Sequence, residues 1–125
     1  MSEIAATPEP PYVAVIFTSL RTPADDGYAQ TAARMDELAA QQPGYLGIES
    51  IRAVGDSSES TLGITVSYWA SEEDARAWKS VAEHRVAQRS GRESWYDAYT
   101  IRIAQVTRAY GSTRDQAAMK RRSVS

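Results

Sequence analysis

The stretch WKSVAEHRVAQRSGR, residues 78–92, holds the one histidine of the chain together with an amide and several guanidinium groups. An imidazole has an ordinary pKa of about 6.5, so His84 could take a proton from a substrate near neutral pH. Arg92, or Arg102 further along, could hold an anionic oxygen of such a substrate. The stretch therefore offers a candidate base and a candidate anion-binding cation, and we expect His84 and Arg92 to be the catalytic residues if the chain is an enzyme.

The helical spacing of this stretch suggests where its polar side chains lie. At about 100° per residue, Trp78, Val81 and Ala82 share one stripe, which we expect to be buried. We assign Trp78 to the core for this reason. His84 and Gln88 are four residues apart on the flank of that stripe, where i and i+4 side chains are neighbours. A pocket between this helix and a sheet is one explanation of the flank, and an exposed, purely structural histidine is the other.

Aromatic residues at the ends of neighbouring elements favour a pocket. Tyr68 and Trp69 end a predicted strand before the helix, and Tyr96 follows the helix. Such rings could stack on a flat substrate, so we expect Tyr68, Trp69, Tyr96 and Gln88 to bind it. A small aromatic core that closes one edge of the sheet is the alternative.

Composition excludes several classes of function. The 125 residues carry a net charge of −2, whereas nucleic-acid binding needs a basic surface. No apolar run is long enough to span a membrane, and the first residues lack the pattern of a secretory signal. Without cysteine, and with one histidine, thiolate or multi-histidine metal sites are excluded. We expect a cytoplasmic protein that binds neither nucleic acid nor membranes.

Apolar periodicity and turn residues divide the chain into six elements between two polar ends. Residues 1–11 are a proline-rich, weakly ordered lead-in, 12–111 a single domain, and 112–125 a polar tail that ends in a basic KRR run. The predicted strands cover 12–20, 45–54, 61–69 and 99–110, and the predicted helices cover 23–42 and 72–89. The order β-α-β-β-α-β is that of a ferredoxin-like α+β fold with a four-stranded antiparallel sheet. SEED at 71–74 predicts a capping box at the second helix.

Both faces of this sheet carry apolar groups. Alternation places Ile16, Val106 and Tyr110 opposite to Val15, Ile101 and Ile103. Two helices cover one face, and the chain has no further layer for the other. We therefore expect a homodimer in which a second copy covers the helix-free face.

Much of the chain resembles the antibiotic biosynthesis monooxygenase family. The resemblance runs over about residues 12–111 and is carried by PGYLGIES, by the Tyr-Trp strand end before AWKSVAEHRVAQ, by GRESWY and by YTIRIAQVTRAYG. It implies a ferredoxin-like fold whose two copies form a dimeric α+β barrel. The family includes quinone-forming monooxygenases without metal or flavin, haem-degrading enzymes and small proteins of unknown role.

The resemblance implies a cofactor-independent monooxygenase acting on a small aromatic or polyphenolic, quinol-like substrate. A dimeric module that binds a small hydrophobic molecule without altering it is the alternative. Haem degradation is a more distant third, because the relatives with that activity use a first-strand Asn and a His ten residues after a helix Trp. Here Trp78 matches the Trp, but Gln88 occupies the position of the His, and VIFTSL contains no Asn.

Overall fold

A computed structural model describes residues 3–23, 28–54, 59–90 and 95–112, with the backbone alone for 85–90. The elements are β1 (Tyr12–Arg21), α1 (Tyr28–Ala40), β2 (Tyr45–Arg52), β3 (Thr61–Trp69), α2 (Glu72–Ser90) and β4 (Tyr96–Val106). The strands form one sheet in the order β2-β3-β1-β4, and every neighbouring pair is antiparallel. The predicted ferredoxin-like fold is confirmed.

The bounds of β4 differ from the prediction at both ends. The strand begins at Tyr96, because β1 continues to Arg21 and pairs with it there after a register shift between Leu20 and Arg21. It ends at Val106, which pairs with Tyr12. Proline has no N–H to donate, and Pro11 stands where the ladder would have to continue. Residues 107–112 therefore have no partner strand.

The turn after α1 depends on Gly44. Its φ of +81° lies in the left-handed region that favours glycine. Its carbonyl accepts a hydrogen bond of 2.8 Å from the Ala70 N–H, which ties the start of β2 to the end of β3. A Cβ atom at Gly44 would lie 2.1 Å from Oδ2 of Asp74, so side chains are excluded there for a second reason.

Ser71 caps α2, but the reciprocal half of the predicted capping box differs. The Ser71 Oγ accepts a 3.1 Å hydrogen bond from the Asp74 N–H, as an N-cap does. The Asp74 carboxylate accepts a 3.0 Å hydrogen bond from the Ser71 hydroxyl instead of reaching the Ser71 backbone. Aspartate is one methylene shorter than the glutamate that usually makes this return contact.

The core lies between the helices and the sheet. Trp69 is fully buried and stacks on Trp78, with ring centres 5.7 Å apart and an angle of 25° between the planes. The predicted core position of Trp78 is confirmed, since 6% of the residue is exposed. Ala75 on α2 and Ala39 on α1 are buried in the same cluster.

The helix-free face is covered only in part. The register confirms that Val15, which pairs with Ile103, and Ile16, which pairs with Arg102, lie on opposite faces. Four large exposed apolar side chains lie on described strand positions of the helix-free face: Leu20, Ile51, Leu62 and Ile64.

The described part of the lead-in, residues 3–11, contacts the sheet. The Ala5 N–H donates to Oε2 of Glu49 at 2.9 Å, and the Thr7 hydroxyl donates to the Tyr12 hydroxyl at 2.9 Å. These two hydrogen bonds tie part of the lead-in to the sheet. Residues 113–125, with the KRR run, lie outside the described part. Within that part, neither helix combines the length and apolarity needed to cross a membrane.

Candidate functional site

A cavity of about 160 Å³ lies between the two helices and the helix-covered face of the sheet. Apolar side chains from both helices and from β1, β2 and β4 form most of its wall, and they are Val15, Phe17, Ala32, Met35, Ile48, Trp78, Ala82 and Ile101. Polar side chains complete it, and they are Tyr28, Asp36, Ser50, Arg52, Thr65, Ser67 and Tyr96. An apolar pocket with a few placed polar groups is typical of sites for small molecules.

Local periodicity explains which residues reach the cavity. On β2 the lining residues Ile48, Ser50 and Arg52 alternate along the strand, as one face of a strand requires. On α1 the lining residues begin at Tyr28 and end at Asp36, eight positions later, which is the spacing of one helix face.

Arg52 is held by three contacts at one end of the cavity. Its Nη1 donates to the Thr61 carbonyl at 2.7 Å, and its Nη2 donates to Oγ of Ser19 at 2.9 Å. Nη2 also lies 3.4 Å from the Tyr28 hydroxyl, a longer and weaker contact. Among the described residues, no carboxylate forms an ion pair with Arg52.

Gly63 makes this position of Arg52 possible. It lies on β3 between its cross-strand partners, Arg52 on β2 and Ser19 on β1. A Cβ atom at Gly63 would lie 2.5 Å from Cζ of Arg52 and within 2.8 Å of both terminal nitrogens. The guanidinium therefore lies directly over the glycine and crosses the central strand to reach Ser19.

Two tyrosines adjoin Arg52. The Tyr28 and Tyr96 rings meet edge to face, with centres 6.0 Å apart, and their hydroxyls share a hydrogen bond. Burial raises the pKa of Tyr96, and Tyr28 raises it further, although Arg52 and Arg21 oppose the shift. Cζ of Arg21 lies 3.9 Å from the centre of the Tyr28 ring, which is a cation–π contact. The phenol of Tyr96 thus stays protonated at neutral pH.

Asp36 brings a carboxylate to the cavity. Burial raises its pKa above the ordinary value, because the cavity wall removes part of its hydration. Burial raises the pKa of Tyr45, and the negative charge of Asp36 raises it further. A carboxylate with a raised pKa is a stronger proton acceptor than a fully hydrated one.

His84 does not lie where we expected it. The residue is exposed and does not line the cavity, whereas Trp78 and Ala82 of the same helix do. Two residues along a helix correspond to a rotation of about 200°, so Ala82 and His84 point about 160° apart. The cavity lies on the Ala82 flank of the buried stripe, and the expected pocket position of His84 is wrong.

Of the other expected site residues, some line the cavity and others do not. Tyr96 lies in the cavity wall. Trp69 is fully buried in the core and does not line the cavity. Tyr68 pairs with Ala14 on the helix-free face and donates a 2.6 Å hydrogen bond to Oε1 of Glu49, so it cannot reach the cavity. The side chain of Gln88 and the whole of Arg92 lie outside the described residues.

Arg102, our alternative holder of an anionic oxygen, is also on the wrong face. It pairs with Ile16 and is exposed on the helix-free side of the sheet. Arg52, Tyr28 and Asp36 were not among the expected site residues. The signal for Arg52 was a cation within an apolar alternating strand, in phase with Ile48.

The described residues contain no group of three or more histidine, aspartate or glutamate side chains that could hold a metal ion. The polar groups that the cavity does present are a guanidinium, phenols, aliphatic hydroxyls and one carboxylate. These groups can bind a small organic molecule, donate hydrogen bonds to its oxygens and accept a proton from it.

Known proteins resemble this chain in sequence and in fold. The model of the antibiotic biosynthesis monooxygenase family matches residues 11–90. The chain is 47% identical over 108 residues to the uncharacterized protein YqjZ of Bacillus subtilis, which covers 86% of this chain and 90% of that protein. It is 32% identical over 95 residues to the jasmonate monooxygenase ABM of Pyricularia oryzae, which covers 75% of this chain and 43% of that protein. The chain thus matches less than half the length of the fungal protein.

Solved structures share the fold at low sequence identity. A mutant of SnoaB, a cofactor-independent oxygenase from Streptomyces nogalater, superimposes with a TM-score of 0.61 at 13% identity, covering 81% of this chain and 98% of that one. The NE2512 protein of unknown function from Nitrosomonas europaea gives a TM-score of 0.57 at 16% identity, and the match covers 82% of this chain and 96% of that one.

Proposed function

Because the chain belongs to the antibiotic biosynthesis monooxygenase family, we propose that it oxidises a small aromatic, phenol-type molecule with molecular oxygen in the helix-side cavity. The observation that carries the proposal is the cavity wall, which combines apolar and aromatic side chains with several hydrogen-bonding groups. Phe17 and Trp78 are among the aromatic side chains, and Arg52, Tyr28 and Tyr96 are among the hydrogen-bonding groups. This combination suits a flat molecule with an oxygen substituent at one edge.

The proposed reaction needs no external reductant. A base removes a proton from an activated CH₂ group of the substrate, and the resulting carbanion reduces oxygen and then forms a C–O bond. The hydroperoxide at that carbon loses water and leaves a carbonyl group. One oxygen atom enters the product and the other leaves as water, with the two hydrogens of the former CH₂ group.

Asp36 takes the role of the base that we first gave to His84. Asp36 and His84 are both exposed to solvent, but Asp36 lines the cavity, where partial burial raises its pKa, and His84 does not line it. Tyr96 keeps its proposed role in substrate binding. Arg92 remains proposed as a group that holds the substrate, whereas Gln88 belongs to the His84 flank of α2 and is no longer proposed for this cavity.

We also propose that the working unit is a homodimer. Leu20 lies beside Leu62, and Ile51 beside Ile64, so the exposed apolar side chains of the helix-free face form one patch across three strands. A second copy placed by a two-fold axis would cover this patch with the same patch of its own.

Oxygen uptake with 1,8-dihydroxyanthrone tests the proposed activity. The expected result is uptake above the spontaneous oxidation of the probe, with one ¹⁸O atom from ¹⁸O₂ in the quinone product. Ala32→Phe, which fills the cavity from α1, should abolish this uptake. Ala33→Phe places the same ring on the exposed neighbouring position and should leave the uptake unchanged.

A non-catalytic binding module is the second candidate, and the absence of a histidine from the described cavity wall favours it. If the parent protein binds the probe without oxygen uptake above the spontaneous rate, and Ala32→Phe abolishes this binding, the protein is a binding module. The same result would overturn the proposed monooxygenase activity.

A further inference from the structure

We infer that Arg52 binds a negatively charged oxygen of the substrate, so that the natural substrate is an aromatic anion, either a carboxylate or an ionised phenol. This inference rests on the proposed function in one respect, since it places the substrate in the same cavity. Beyond the proposed function, the inference specifies the charge of the substrate and the residue that recognises this charge.

The first support is the missing counter-charge. Arginine is always ionised in proteins, and a cation that has lost part of its hydration is stabilised by an anionic partner. Arg52 is half-buried and lines the cavity, yet no described carboxylate forms an ion pair with it. Asp36 brings a carboxylate to the same cavity but forms no ion pair with Arg52, so a substrate anion could become the direct partner of this guanidinium.

The second support is that the guanidinium is fixed before a ligand arrives. Thr61 and Ser19 accept hydrogen bonds from its two terminal nitrogens, and the surface of Gly63 lies beneath it. A guanidinium has five N–H donors, and these two hydrogen bonds with the longer Tyr28 contact use at most three. N–H donors of the Arg52 guanidinium therefore remain for a ligand. Because the group is already fixed, it loses little conformational freedom when the ligand binds.

The third support is the charge of the surrounding groups. Arg21 lies over the Tyr28 ring, so two cations adjoin the Tyr28–Tyr96 pair. Burial keeps the Tyr96 phenol neutral, so this tyrosine does not provide the missing negative charge. Hydrogen bonds between arginine and an anionic oxygen are stronger than those between neutral groups, which gives selectivity for the charged form.

The alternative is that Arg52 only braces the sheet. Its hydrogen bonds do connect β2 and β1 across β3, so loss of stability alone would not separate the two roles. A bracing residue would affect charged and neutral ligands equally. The ratio of their affinities therefore reports the proposed role.

The test compares 2-naphthoate with its neutral isostere 2-naphthamide by isothermal titration calorimetry at neutral pH. We expect the parent protein to bind the carboxylate at least about tenfold more tightly than the amide. Arg52→Gln should remove this preference and leave the amide affinity within about twofold. Arg52→Lys should keep part of the preference for the carboxylate, because lysine retains the positive charge but lacks the planar, two-pronged set of N–H donors of a guanidinium.

Arg34→Gln is the matched control, since it removes an arginine from an exposed ion pair with Glu37 on α1. It should leave both affinities unchanged. A second arm uses 4-nitrophenol, whose phenolate has its own visible absorption. Binding to the parent should lower the pKa of this phenol, and binding to Arg52→Gln should not, if ionised phenols are accepted as well as carboxylates.

Equal affinity of the parent for naphthoate and naphthamide would overturn the inference. So would an equal loss of both affinities in Arg52→Gln, or no binding of either ligand. Arg52→Gln that retains the full preference for the carboxylate would also overturn it. Preference for the anion without any oxygen uptake by the anthrone would leave the inference standing and count against the monooxygenase alone.

Discussion

Arg52 and Ser19 are joined by a 2.9 Å hydrogen bond although a whole strand separates them. Gly63 is the residue of that strand which pairs with both, and its lack of a side chain lets the guanidinium pass over it. The contact fixes a cation at the polar end of the cavity. It therefore connects a feature of the sheet, one glycine in a β-strand, with the proposed recognition of the substrate.

Gly63→Ala should displace the Arg52 guanidinium. The added Cβ would lie 2.5 Å from Cζ, and the flexible arginine has to move because the strand backbone cannot. We expect Gly63→Ala to cost about 1 kcal/mol through the lost hydrogen bond to Ser19. In a chain that already carries Arg52→Gln the same change should cost less, with a coupling of about 0.5 kcal/mol or more. Urea unfolding of the four proteins measures this, and additive effects would show that the two residues act independently.

Trp78→Ala should destabilise the protein by about 3–5 kcal/mol, the usual range for a buried tryptophan. The residue is 6% exposed and stacks on Trp69, so its removal leaves a cavity beside a second large ring. Ser80→Ala, at an exposed position of the same helix, should change the free energy of unfolding by less than about 0.5 kcal/mol. If Trp78→Ala unfolds like the parent but no longer binds ligand, Trp78 belongs to the binding site and not to the core.

The sequence was sufficient for the fold and for the core of α2. β3 has the predicted bounds, because its alternation of apolar residues and its flanking turn residues are both clear. Trp78 was placed correctly because helical periodicity separates a buried stripe from the rest of a helix.

The site was harder to predict, for two physical reasons. Periodicity shows which stripe of α2 is buried, but the packing of the helix against the sheet decides which flank of the stripe faces the cavity, and His84 is on the other flank. The role of Arg52 depends on Gly63 and Ser19, which become its neighbours only through the register of three strands. Tyr68 is a different case, since adjacent strand residues point to opposite faces and Tyr68 could not have joined Trp69.

Leu62→Lys should dissociate the proposed homodimer. Leu62 is 50% exposed in the single chain and lies within the apolar patch of the helix-free face, where a second copy would bury it. A buried, unpaired lysine is strongly unfavourable, so the variant should sediment as a monomer at micromolar concentration. Ala33→Lys adds the same charge to the exposed surface of α1 and should leave the dimer intact. A parent protein that sediments as a monomer would contradict the proposal.

Alkaline pH should destabilise the protein, in part through Tyr68. Burial, and next the hydrogen bond to Glu49, raise the pKa of Tyr68 to about 12. An unfolded tyrosine has a pKa of about 10, so between about pH 10 and 12 the unfolded chain has lost a proton that the folded protein retains. The stability contributed by this proton is present below about pH 10 and is lost as the pH rises through 12.

Tyr68→Phe should therefore make the free energy of unfolding less dependent on pH in this range, as urea titrations at a series of pH values would measure. Tyr110→Phe removes an exposed phenol near the end of the described chain and is the matched control. An unchanged pH dependence in Tyr68→Phe would mean that the contact with Glu49 is not formed in solution.

Asp36→Asn should lower turnover of the anthrone by about 10²–10⁴-fold, the usual contribution of a general base. The amide keeps the size of the side chain and cannot take up a proton, so the affinity for the substrate should change little. Because burial raises the pKa of Asp36, turnover in the parent should fall as the pH is lowered through that raised value, where the carboxylate becomes protonated. Stopped-flow oxygen consumption across acidic and neutral pH measures both effects.

His84→Gln is the paired variant, because His84 was our first candidate for the base. The residue is exposed and lies about 160° around the helix from the cavity-lining Ala82, so turnover should stay within about twofold of the parent. If His84→Gln lowers turnover by 10²-fold or more while Asp36→Asn does not, the base is the histidine. The reaction would then have to take place at the opposite flank of α2, outside the helix-side cavity.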